Sequence, residues 1–217
     1  TGYRNLSYMV SLGFTEGFYN RPRVDMELLR EHHEGLIALS ACLAGAIPQA
    51  LMNENYDEAK RMALELSRIF GPKHFYLEMQ DHGIDKQRPV NQGLQRLARE
   101  TGLPLVVTND AHYLRQEDAK IQDVLLCVQT AKTVDDPNRM RFETEEFYYK
   151  STSEMEKLFG DVPEALANTV RIADACDFEF MFGNLYLPKI AVSNGKTPFE
   201  QLRTFTFAGL DKKIEGG

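Results

Sequence analysis

"LPLVVTNDAHYL", residues 103–114, runs from an apolar stretch straight into a polar turn. Leu103, Leu105, Val106 and Val107 have the length and branching of a buried strand. Asp110 and His112 follow, two positions apart. Side chains at i and i+2 leave an extended chain on the same side, so this pair can chelate one ion. A carboxylate oxygen and an imidazole nitrogen, joined by a thiolate, suit zinc or a related transition metal. The competing reading is an Asx turn or a helix cap, a common use of Asn and Asp after a strand.

Working outward, the same alternation of strand and helix recurs. Residues 85–102 carry Val90, Leu94, Leu97 and Ala98 on one helical face, closed by Gly102. Before them, "HFYLEMQ" (74–80) alternates Phe75, Leu77 and Met79 with Tyr76, Glu78 and Gln80, as a strand does. Residues 55–71 form a helix with Ala59, Met62, Ala63, Leu66 and Ile69 in one stripe and Gly71 as its stop. "LIALS" (36–40) has strand length, with Cys42 just beyond it. Residues 3–16 read as a first helix, and Asp25 as the N-cap of a second that stops at Gly35. On the other side, residues 116–131 form a helix expected to turn Ile121, Val124, Leu125 and Val128 inward. Strands alternating with helices of this length predict βαβ units and a parallel sheet.

From Lys132 the pattern changes. A polar stretch containing Pro137 leads to the aromatic run Phe147–Tyr149. A helix with a Ser153–Glu156 capping box is expected next. A helix over 162–177, a turn-rich loop over 183–196, and a last helix opened by Thr197-Pro198-Phe199-Glu200 follow. The predicted division is 1–131 and 132–217.

The net charge of −7 argues against a dedicated nucleic-acid grip, because phosphate neutralisation supplies most of that affinity. Three widely spaced cysteines fit a reducing cytoplasm rather than a disulfide framework. No apolar run approaches the roughly 20 residues of a membrane span. The chain starts at Thr1 without Met and stops as a helix finishes, so we expect a piece of a longer protein.

Three strand ends therefore carry potential donors: Cys42, the Glu78/Asp81/His82 group, and Asp110 with His112. Each has a plain alternative. Cys42 reads as a small buried filler, His82 as a turn residue before Gly83, and Glu78 as a solvated group or the partner of an Arg. Cys127 reads as core, and Arg139 and Arg141 as a solvated loop.

The segments "TGYRNL", "EGLIALSACLAGAIP", "FYLEMQDHG", "GLPLVVTNDAHYL", "QDVLLCVQTAKTVDDPNRMRF" and "EALANTVRIADACD" occur in this order. Together they resemble the polymerase-and-histidinol-phosphatase (PHP) domain of the bacterial DNA polymerase III alpha subunit family. The resemblance implies an α/β fold: the C-terminal part of a distorted (β/α)7 PHP barrel, then a mostly helical connecting segment towards the polymerase palm. It implies that Cys42, Asp110 and His112 are metal ligands, and that the ion is zinc or manganese, with magnesium a further candidate. The implied partners are the rest of the polymerase alpha chain, a proofreading exonuclease subunit, other replicase subunits, and DNA through the parent. The family's His-x-His motif is missing from this sequence, and so is any Asp-x-Asp that could serve nucleotidyl transfer. This stretch alone is thus expected to bind metal weakly or not at all, and to be inactive. Two alternatives are a catalytically silent scaffold that docks a proofreading subunit, and a free-standing PHP phosphoesterase.

Overall fold

The structure, a computed structural model, describes residues 1–179, 181–188, 191–192 and 195–214. It falls into two compact units, Thr1–Asp177 and a second beginning at Phe178.

The first unit is built on three short parallel strands in the order β1-β2-β3: β1 (Ala38–Leu39), β2 (Phe75–Met79) and β3 (Leu105–Val107). Ala38 pairs with Phe75, and Met79 with Val107. β2 is buried at every residue because it is the middle strand and is covered on both faces. On one face Phe75, Leu77 and Met79 meet the helices α3 (Ala46–Met52), α4 (Tyr56–Phe70) and α5 (Gln87–Thr101) in one apolar core. Val90, Leu94 and Leu97 are the buried stripe of α5. Each such side chain contributes roughly 1.5–3 kcal/mol by leaving water. α5 ends at Gly102, whose φ of 72° is open to glycine without strain.

α3 was not anticipated from the sequence. It is short and opens after the tight turn Ala41–Gly45, where a Cβ on Gly45 would lie 2.4 Å from the Ser40 carbonyl oxygen. Two further helices precede β1: α1 (Gly2–Thr15) and α2 (Met26–His32), the latter capped as expected, with Leu28 N–H donating to Asp25 at 2.8 Å.

A 3₁₀ turn, Gln116–Asp118, leads into α6 (Ala119–Thr130). Here the structure corrects the sequence reading. Ile121, Val124, Leu125 and Val128 are all exposed, Val128 by 74%, and the buried residues are Leu126 and Cys127. The regular apolar spacing marks a helix correctly but does not say which side is covered.

The compact first unit runs on past Lys132 to Asp177. Residues 142–150 lie along residues 109–116, joined by the parallel bridge Tyr113–Tyr148. The unit then closes with α7 (Thr152–Phe159) and α8 (Pro163–Ala175). The α7 capping box sits two residues earlier than expected: Glu154, not Glu156, accepts from Ser151 N at 2.8 Å and Ser151 Oγ at 2.6 Å. α8 packs beside β3, where Asn168 Nδ2 donates to the Leu105 carbonyl at 2.7 Å.

In the second unit, α9 (Pro198–Ile214) begins with the predicted box: Glu200 accepts from Thr197 N at 2.7 Å. The loop expected over 183–196 includes positions outside the described residues, as does the chain end at 215–217. No helix among the described residues is long and apolar enough to cross a membrane.

Candidate metal centre at the strand ends

All three strands run parallel, so their carboxyl ends share one edge of the sheet. Ligands in parallel α/β folds gather beyond that edge.

At the end of β2, Glu78, Gln80 and His82 are buried and hydrogen-bonded, whereas Asp81 is partly exposed and accepts from Gly83 N at 2.9 Å. Glu78 is 9% exposed and pairs with no cationic side chain among the described residues. Its carboxylate instead accepts from Ala41 N–H at 3.1 Å, from Gln80 Nε2 at 3.2 Å and from the Thr108 hydroxyl. It thereby ties the turn after β1 to the end of β3. The sequence reading of Glu78 as solvated or Arg-paired is replaced by this neutral cradle.

His82 is not a plain turn residue either. It is 1% exposed. Gln87 holds it twice, accepting from His82 N at 2.7 Å and donating from Nε2 to His82 Nδ1 at 2.8 Å. Nδ1 is then an acceptor, so the proton resides on Nε2, which donates to the Asn109 carbonyl at 2.7 Å. Burial pushes the His82 pKa below its usual value, against the opposing pull of the Asn109 hydrogen bond. The ring stacks on Phe147, with centroids 4.3 Å apart and planes 5° from parallel.

At the end of β3 the situation is reversed. Asp110 and His112 are both more than a third exposed, and His112 Nε2 lies 3.3 Å from Asp110 Oδ1. The predicted same-side placement of the pair is therefore present, although the backbone is not extended: Asp110 has φ 46°. That left-handed conformation costs most L-residues roughly 1–2 kcal/mol and is tolerated best by Gly, Asn and Asp. The His112 ring packs against Phe142 and Phe147, with centroids 4.7 Å and 5.6 Å away. The backbone is pinned by His112 N donating to the Phe147 carbonyl at 2.8 Å.

Residues 142–150 thus form a clasp over this edge. Thr144 Oγ1 donates to the His82 carbonyl at 2.6 Å, and Asn109 Nδ2 to the Tyr148 carbonyl at 3.1 Å. Lys150, with its side chain 3% exposed, donates to the Glu146 carbonyl and lies over the Tyr148 ring at 4.2 Å. Glu154, bonded to Ser151 and to the Tyr148 hydroxyl, is held down to about 2, and that hydroxyl is pushed up to about 12 by Glu154.

Cys42 lies in the exposed turn after β1. Among the described residues, no group of three or more His, Cys, Asp or Glu side chains is placed to hold a metal ion. Asp110 and His112 have suitable chemistry, a hard oxygen beside a borderline nitrogen, but supply only two of the four or more donors an ion takes. Cys42 does not join them in a three-donor group. Arg139, expected in a solvated loop, is instead folded against α6, where its side chain is 6% exposed and its NH2 lies 2.6 Å from Asp123 Oδ2.

Comparison with known proteins supplies the context. The PHP domain family matches residues 1–82. Over 218 residues, 97% of this chain, the sequence is 44% identical to the DNA polymerase III subunit alpha of Thermus aquaticus. Its homologues are DNA polymerase III alpha subunits. The Borreliella burgdorferi subunit is 44% identical over 96% of the chain, and the Treponema pallidum subunit 50% identical over 82%. The chain spans only 18% of the Thermus and Borreliella subunits and 15% of the Treponema one. The similarity thus runs along nearly all of this chain and along a small part of each subunit, and its first 82 residues carry the PHP match.

The sequence did carry one overlooked sign of His82. Continuing the alternation Tyr76, Glu78, Gln80 by one step reaches position 82 on the same side. Phe147, the other half of the stack, is 65 positions away and gives no local signal.

Proposed function

We propose that this chain is the PHP portion of a replicative DNA polymerase alpha subunit, acting in the cytoplasm as part of that longer chain. Its three strands belong to a distorted (β/α)7 barrel. Asp110, His112 and Cys42 are its contribution to a divalent-metal site for zinc, manganese or magnesium, completed by donors elsewhere in the polymerase. The single observation that carries this reading is the exposed Asp110–His112 pair at the carboxyl edge of a parallel sheet. A bound ion would activate water and neutralise charge developing on a phosphate. Within this chain, Asp110 and His112 would hold it, the Phe142 and Phe147 rings would restrict how His112 turns, and Glu78 would keep the strand ends in register. The parent extends DNA, and the other replicase subunits, including a proofreading exonuclease, are its partners.

The test is the metal content of the longer polymerase. Asp110→Asn is expected to lower bound metal, and unchanged content would count against the reading. A second reading, a silent scaffold that docks a proofreading subunit, is favoured by the exposed stripe Ile121, Val124, Leu125 and Val128. It predicts that charged substitutions there weaken subunit association while Asp110→Asn leaves metal content unchanged.

A further inference from the structure

We propose that His82 is a positioning residue for the Asp110–His112 pair. The inference rests on the reading of that pair as the functional unit, and it concerns how the pair is held. Asp110 occupies a left-handed conformation that its own side chain does not enforce. Its two flanks do. On the N-terminal side, the Asn109 carbonyl accepts from His82 Nε2 at 2.7 Å and the Asn109 side chain donates to the Tyr148 carbonyl at 3.1 Å. On the C-terminal side, His112 N donates to the Phe147 carbonyl at 2.8 Å. Both flanks lead to the same object. The His82 ring lies flat on Phe147, so one imidazole fixes the peptide before Asp110 and also seats the residue that fixes His112.

His82 cannot itself be a ligand in this arrangement. Both ring nitrogens are engaged, Nδ1 by Gln87 and Nε2 by Asn109, and the side chain is sealed from solvent. Gln87 is the device that sets the tautomer. Its oxygen is taken by the His82 backbone N–H, so only its NH₂ remains for Nδ1. With the other tautomer, a lone pair would face the Asn109 carbonyl and the anchor would be lost. The role parallels that of the outer hydrogen-bond partners around metal ligands, whose loss typically weakens metal affinity about 10- to 100-fold.

The experiment uses the 217-residue chain, labelled on histidine rings, with Mn²⁺ as the probe. In the unsubstituted chain, long-range nitrogen–proton spectra should show His82 as the pure Nε2–H tautomer, and Mn²⁺ should broaden the His112 ring signals. His82→Phe keeps a flat ring on Phe147 and removes the anchor. Without metal, its His112 ring signals should shift and split. The Mn²⁺ needed for half-broadening should rise about tenfold. A folded His82→Phe chain with His112 signals and Mn²⁺ response unchanged overturns the proposal. Gln87→Glu covers the case in which His82→Phe does not fold. It keeps the acceptor for His82 N–H but removes the donor to Nδ1, so His82 should gain a proton on Nδ1 and His112 should respond. A changed His82 with an unmoved His112 also overturns it. If Mn²⁺ leaves His112 untouched in the unsubstituted chain, the pair needs the donors that the longer polymerase supplies, the metal reading is decided by the metal content of that polymerase, and the positioning role is decided by the metal-free His112 signals alone.

Discussion

The ends of β2 and β3 lie side by side yet treat their polar residues in opposite ways. At the end of β2, Glu78 and His82 are buried, and their carboxylate oxygens and ring nitrogens all have partners within the protein. Beyond β3, Asp110 and His112 are both more than a third exposed and lie within 3.3 Å of each other, with the His112 ring against Phe142 and Phe147. Buried polar groups that are fully satisfied specify structure, whereas groups left available to solvent can bind something else. The contrast teaches that the two strand ends have separate jobs: one is a rigid mount and the other is what it presents. His82 connects them through Asn109 and Phe147.

The largest effect should come from the core under the mount. Phe75→Ala, at a site with no exposure, is expected to cost about 3–5 kcal/mol in urea unfolding. A loss below about 1 kcal/mol would mean that β2 is not the packed centre of the fold. Next comes the carboxylate of the mount. Glu78→Leu leaves three donors without their acceptor and should cost roughly 1–3 kcal/mol. Asp110→Asn, at the presenting end, should stay within about 0.5 kcal/mol. Equal costs for the two would erase the contrast.

A smaller effect separates the two ends by pH. His82 has its pKa depressed in the folded chain relative to the ordinary 6.5. The unfolded chain therefore binds more protons than the folded one as pH falls below about 6.5. The stability contribution of neutral His82 is complete above that pH. It declines as pH drops from 6.5 towards the depressed folded value. Chemical denaturation across pH 5 to 8, a range of about three units, should show this slope, and His82→Phe should flatten it. A slope that persists unchanged in the variant would assign it to other groups. The smallest effect is expected on α6: Val128→Ala, 74% exposed, should change stability by less than about 0.5 kcal/mol. A larger cost would show that the stripe is covered in solution.

Local chemistry made much of this legible in the sequence. α5 shows why: its stripe of Val90, Leu94 and Leu97, its Gly102 stop, and the strands on either side all agree, and the structure follows them. α6 has as regular a stripe, and the expectation fails because periodicity reports a helix face and not what lies against it. The Asp110–His112 pair was visible because two-residue spacing is a local property. The clasp was not, because Phe142, Phe147 and Tyr148 reach the site only through tertiary contact. The role of Glu78 was hidden for the same reason, since its donors come from Ala41 and Thr108, which lie 37 and 30 positions away.

The most direct test of the account is an anomalous-diffraction map of the longer polymerase crystallised with Zn²⁺ or Mn²⁺. The account predicts an ion about 2.0–2.3 Å from donor atoms of Asp110 and His112, with the Cys42 sulfur also within bonding reach. An ordered barrel whose anomalous peaks all lie away from the Asp110–His112 pair would contradict it.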